Sequence, residues 1–245
     1  MGIAVENGSR RIKSGYASRT ILLLPLVVFW AGVGSPRAQA AIYSQPTNYF
    51  GGFYSENDTG PNANGNYATT YDDFTLTSTA AIGSVSWVGT VLNSVTPTAF
   101  TISIFANSTT SCPGGEATCP NTGSQLYSTT VSGSAGQTFL QNDSFNYPAY
   151  SYTDPITFTA TGGTEYWISI VGTVPSTNDW VWESGTGGDG YSFQTLFGTT
   201  SAIAVDEAFS LNSPASVPEP MYTGLIGGGL VLLALASRRR KRPTA

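Results

Sequence analysis

Histidine is absent from the 245 residues, and no lysine or arginine stands between Arg37 and Arg238. Lacking imidazole, ammonium and guanidinium groups, this middle segment cannot build a Ser-His-Asp triad, a Schiff base, an arginine clamp on phosphate or a histidine-ligated metal. The same absence excludes nucleic acid as a partner, because such binding depends on cationic contacts with phosphates, and it disfavours anionic lipid surfaces. The charge that is present is negative. Of the 15 acidic residues, all but Glu6 and Glu219 lie in the segment that has no basic residue. Helical periodicity is missing there too, so no long amphipathic helix is expected.

The ten basic residues are confined to the two ends, each beside an apolar run. Arg10, Arg11, Lys13 and Arg19 precede ILLLPLVVFWAGV, and Ala38-Gln39-Ala40 follows in the small-residue spacing that signal peptidase accepts. Residues 1–40 are therefore expected to be a secretory signal peptide, since the apolar run is shorter than the ~20 residues of a membrane span. Ser9-Arg10-Arg11 suggests twin-arginine export, but Lys13 and Ser14 interrupt that pattern.

The two cysteines, Cys112 and Cys119, lie in SCPGGEATCP. A metal site would need two further Cys or His ligands, and a redox pair is normally C-x-x-C. In an exported segment oxidation is the default, so one structural disulfide is expected.

Residues 41–216 are expected to form one acidic all-β domain, an antiparallel two-sheet β-sandwich of jelly-roll-like winding. In AFTISIFA, Phe100, Ile102 and Ile104 alternate with Thr101 and Ser103, as in a half-buried strand. EYWISIVG repeats this with Tyr166, Ile168 and Ile170, and Val85, Trp87 and Val91 share a face in IGSVSWVGTVL. Further strands are expected at DDFTL, QLYSTTV, SYT, ITFTA, DWVWES, YSFQTL and AVDEAFSLN, with Gly, Pro and Asn between them. The stretch YSENDTGPNANGNYATTYDDF has the composition of a solvated loop. Its Asp58, Asn62, Asn64, Asp72 and Asp73 are candidate oxygens for Ca2+, but their spacing does not match an EF-hand. The sequons at Asn57, Asn107 and Asn142 imply exposed loops.

Two kinds of chemistry survive the missing cations. Paired carboxylates could hydrolyse a glycoside, with Asp179, Glu183 and Asp189 as candidates. Trp180 and Trp182, two apart on one strand, form either core or a sugar-stacking platform; Val181 on the opposite face is also apolar, so the pattern leaves the choice open. The platform would make the domain a cell-surface carbohydrate-binding module. No cofactor and no resident metal are expected.

Residues 217–245 read as a separate tail. Val217-Pro218-Glu219-Pro220 breaks regular structure. Residues 221–236 are uncharged and mostly apolar, and would make a helix about 24 Å long, slightly short of the ~30 Å hydrocarbon core. Arg238, Arg239, Arg240, Lys241 and Arg242 would hold its far end in the cytoplasm, with the acidic domain outside. Gly224 and Gly228 give a G-x-x-x-G spacing that such Gly-rich tails carry without a dimer face.

This order of Pro-Glu-Pro motif, short span and Arg-rich end resembles the sorting tail of bacterial PEP-CTERM proteins. The resemblance implies processing near Pro218-Glu219-Pro220 by an exosortase, a membrane-embedded cysteine transpeptidase. It also implies transfer of the domain to the cell surface or a biofilm matrix, with extracellular polysaccharide as a candidate partner. The exported part is similar to the β-sandwich found ahead of such tails. There a DDF strand (72–74), FTISIFA (100–106), YWISI (166–170), a W-x-W segment (180–182) and EAFSL (207–211) occur in the same order. That similarity implies the fold and brings no catalytic residue. The expected role is a non-enzymatic, exported surface or matrix protein.

Overall fold

The computed structural model describes residues 39–61, 63–92, 96–133, 136–175 and 179–215. The chain forms β1 (Ala41–Gln45), β2 (Thr47–Tyr54), β3 (Glu56–Asp58), β4 (Gly65–Thr75), β5 (Ala80–Val91) and β6 (Ala99–Ser108). After a 3-10 turn at Pro113–Gly115 come β7 (Cys119–Ser132), β8 (Thr138–Asn142), β9 (Pro148–Ala160) and β10 (Glu165–Val174). The last strands are β11 (Trp180–Gly185), β12 (Ser192–Leu196), β13 (Thr199–Ile203), β14 (Asp206–Glu207) and β15 (Phe209–Asn212). No α-helix occurs among the described residues, and none there is long and apolar enough to cross a membrane.

Two sheets result. The first has eight strands in the order β1-β15-β5-β11-β14, with β2 also on β11, β9 on β5 and β8 on β9. The second has seven, ordered β13-β12-β4-β3-β10-β6-β7, with β4 also on β10. Every pairing is antiparallel except β10 with β3. The first and last strands of the domain pair with each other, Tyr43 opposite Leu211.

The alternation read from the sequence sets the inner faces. Phe74, Phe100, Ile102, Ile104, Ile168 and Ile170 of the second sheet pack against Val85, Trp87, Trp180, Trp182, Phe209 and Leu211 of the first. Phe100 is the hub, with its ring 5.0 Å from Trp87, 4.7 Å from Tyr152 and 5.1 Å from Trp180. Burying side chains of this size contributes roughly 1.5–3 kcal/mol each.

Several local expectations are corrected. The stretch read as one loop is largely a hairpin: β3 and β4 pair, Glu56 opposite Ala68 and Asp58 opposite Gly65. Its Asn and Asp content marks the turn, while the Tyr and Thr residues of NYATTY build the strand. The segments SYT and ITFTA are one strand, β9, which passes Asp154-Pro155 with a register shift against Ile82 and Ser84. A bulge accommodates the proline that would otherwise break the ladder.

Candidate functional site

The structure overturns the sugar-platform reading of Trp180 and Trp182. Both are fully buried (0% exposed) between the sheets. Trp182 donates its indole N–H to the Ala208 carbonyl (2.9 Å) and packs against Phe209. Trp180 lies over two glycines, where an added Cβ would come within 2.4 Å of it at Gly89 and 3.1 Å at Gly172. Gly89 on the paired strand β5 and Gly172 on β10 of the facing sheet leave the room an indole needs, and they select the inward face.

The cysteines are joined, with Cys112 and Cys119 at a Cα–Cα distance of 5.5 Å. Their loop lies against the outer face of the second sheet. There Tyr71, Phe105, Trp167 and Phe193 form a second small core, with both sulfur residues packed on it. The disulfide thus covers apolar side chains whose alternation points away from the main core.

The candidate carboxylates separate. Asp179 stands just before β11 and Glu183 within it, about 13 Å apart along an extended backbone. Glu183 is buried and takes a hydrogen bond from Thr90, while Asp189 accepts the Tyr191 N–H (3.1 Å). The calcium candidates also part. Asp58 caps its own turn, accepting from Gly60 N (3.0 Å) and Asn64 N (3.2 Å). Asp72 and Asp73 are consecutive on β4 and face opposite sides, and Asn62 lies outside the described residues. Among the described residues no three Asp, Glu, His or Cys side chains are grouped to hold a metal ion. Asn57 and Asn107 sit in strands rather than loops, with Asn107 bonded to Trp167 and Glu165; Asn142 is exposed at the end of β8.

Two clusters were not legible in the sequence. The first is a set of buried carboxyl groups without cationic partners. Asp72 accepts from Asp73 N (2.8 Å) and Glu207 N (2.5 Å). The Gln45 amide donates to it as well (2.7 Å) when oriented to satisfy the network. Glu207 takes a bond from Ser192 (3.3 Å) at one oxygen, and its other oxygen has no partner. Burial holds both carboxyls well above their usual range, with Glu207 adding repulsion at Asp72. Glu56 accepts from the Tyr67 hydroxyl and the Trp180 N–H, both at 2.5 Å, yet burial raises it to about 7. Asp73 is raised to about 7, first by burial and then by the charges of Asp189 and Glu165.

The second is an aromatic groove of about 360 Å³ where β2 meets the β8–β9 turn. Phe50 (72% exposed) and Phe145 (66% exposed) flank it, with Phe53, Asn48 and Ser184 also lining it. The backbone is held out of its ordinary range to present these rings: Tyr49, Gly51 and Asn146 have φ of 58°, 91° and 66°. Asp143 fixes the turn by accepting Phe145 N (2.9 Å) and Tyr147 N (2.8 Å), and Ser144 N donates to Tyr49 O (2.8 Å). Gly51 is required twice, for its φ and because a Cβ would sit 2.8 Å from the Phe145 ring. The signal in the sequence is NYFGGFY, aromatics around a glycine pair.

Val217, Pro218, Glu219 and Pro220, the apolar run, and Arg238, Arg239, Arg240, Lys241 and Arg242 lie outside the described residues, as do residues 1–38 of the expected signal peptide. No family model and no curated protein matches the chain.

Proposed function

We propose that this is an exported, non-enzymatic protein of the cell surface or extracellular matrix, processed by an exosortase through residues 217–245. One relationship carries the reading: a disulfide-closed β-sandwich whose last strand ends at Asn212, followed at once by Val217-Pro218-Glu219-Pro220, an apolar run and a basic end. The first strand begins at Ala41, where the mature chain would start after a signal peptide. An oxidised cysteine pair suits an exported domain. The apolar helix of the tail would hold the chain in the inner membrane until processing, with the basic cluster inside.

The proposal also takes the sandwich as jelly-roll-like. Antiparallel neighbours distant in sequence, β4 with β10 and β5 with β15, are the long crossovers such a winding requires. The reading takes the protein as non-enzymatic because residues 41–216 hold no His, Lys or Arg to assist a carboxylate.

The test is the intact mass of the protein from native cells or medium. A chain ending at residues 218–220, with or without an added group, is the expected result. A mass extending to Ala245 would overturn the sorting reading, as would an unchanged mass and location after substituting Pro218, Glu219 and Pro220.

A further inference from the structure

We infer that the groove between Phe50 and Phe145 binds an uncharged pyranose ring of a polysaccharide. The inference goes beyond the export reading and does not depend on the tail.

Three observations carry it. First, two phenylalanine rings stand in water on a backbone that is braced to hold them there. Left-handed φ values at Tyr49 and Asn146 cost on the order of 1–3 kcal/mol each, and they are two of the four non-glycine residues with positive φ among those described. Strain of this kind persists where the fold over-determines it, and here the Asp143 and Ser144 hydrogen bonds do so. Exposed aromatic side chains gathered at one groove mark a contact surface, whereas scattered ones do not.

Second, the groove is graded in polarity. Its aromatic side offers ring faces whose negative quadrupole attracts the polarised C–H groups on the apolar side of a pyranose. Its floor offers Asn48 and Ser184. The Ser184 hydroxyl lies within bonding distance of Asn48 Oδ1 (2.8 Å) and Gly51 O (2.7 Å), which orients the amide. Asn48 Nδ2 makes one long contact, to Gly185 O at 3.4 Å, and so keeps an N–H for a ring hydroxyl. The volume of about 360 Å³ is at the small end of ligand sites, the size of a ring rather than of a folded partner's side.

Third, charge selects the occupant. Every formal charge on residues 41–216 is negative, with Asp143 in the turn beside the groove. Carboxylated, sulfated or phosphorylated glycans and anionic lipid are repelled, and so is a second copy of the same acidic domain. A neutral ring that presents hydroxyl donors is matched.

The test is affinity electrophoresis of the full chain, in a neutral detergent, through native gels containing xylan, hydroxyethyl cellulose, galactomannan, dextran or alginate. Retardation by at least one neutral polymer is expected, and any retardation by alginate, which the basic ends of the chain attract, should be unchanged by substitutions in the groove. The retardation by neutral polymer should vanish in Phe50→Ala/Phe145→Ala and persist in Phe50→Tyr and in Phe197→Ala, which removes an exposed phenylalanine elsewhere. Unchanged melting of each variant keeps misfolding apart from lost binding. Three results would overturn the inference: no retardation by any neutral polymer, retardation by alginate that the double substitution abolishes, or retardation by a neutral polymer that survives the double substitution. Concentration-dependent sedimentation abolished by the double substitution, without glycan retardation, would assign the groove to self-association instead.

Discussion

Asp72, in the seven-stranded sheet, accepts the backbone N–H of Glu207, in the eight-stranded sheet, at 2.5 Å. This tie crosses the interior at the edge of the aromatic core, and it is made by a carboxyl that no cation neutralises. Two backbone donors and the Gln45 amide take the place of a counter-ion.

Replacing Asp72 with Ala leaves those donors buried and unpaired. An unsatisfied buried group costs about 1–3 kcal/mol, so Asp72→Ala is expected to lower stability by roughly 3 kcal/mol in urea unfolding. Asp72→Asn keeps one acceptor and should lose less. Equal losses for the two variants would mean that the hydrogen bonds are not what the site contributes.

The pH dependence follows from carboxyls that burial raises. Glu56 and Asp73 titrate near 7 in the folded chain and near 4 when unfolded. A raised acid contributes stability that is fully present below its unfolded pKa and lost as pH rises through the folded value. The melting temperature should therefore be highest around pH 4 and fall toward pH 8. Glu56→Gln should flatten that slope, and a melting temperature that climbs from pH 4 to pH 7 would contradict the assignment.

Trp180 is structural. Trp180→Ala should cost about 3–5 kcal/mol, the range for large aromatic-to-alanine cavities. Gly89→Ala, whose new methyl would meet the indole at 2.4 Å, should cost about 1–3 kcal/mol by overpacking. Thermal unfolding monitored by tryptophan fluorescence reads both; a neutral Gly89→Ala would show that the indole has room to move.

The Cys112–Cys119 loop is short, so breaking it should cost about 2.5 kcal/mol in the chain-entropy account. Cys112→Ser/Cys119→Ser, compared with the wild type under oxidising conditions, measures this. Because the loop covers Tyr71, Trp167 and Phe193, exposure of that outer core should appear as increased dye binding well below the melting point.

The sequence by itself determined the strand character, the inward alternation of Phe100, Ile102, Ile104, Ile168 and Ile170, the cysteine pairing and the uniform sign of charge. Each of these is local: alternation fixes which residues share a face, and a missing residue type is missing wherever the chain goes. Tertiary structure decided what each face meets. Trp180 and Val181 are both apolar and β11 is buried on both sides, so only Gly89 on the paired strand β5 and Gly172 on β10 of the facing sheet make one face the place for an indole. Asp72 and Asp73 are chemically alike and adjacent, and strand parity sends one between the sheets to Glu207 and the other to the opposite face of β4, where it is also buried. The Phe50–Phe145 groove joins segments far apart in the chain through a turn held by Asp143. Such contacts depend on which strands become neighbours, and a period-two pattern carries no information about the identity of the neighbour.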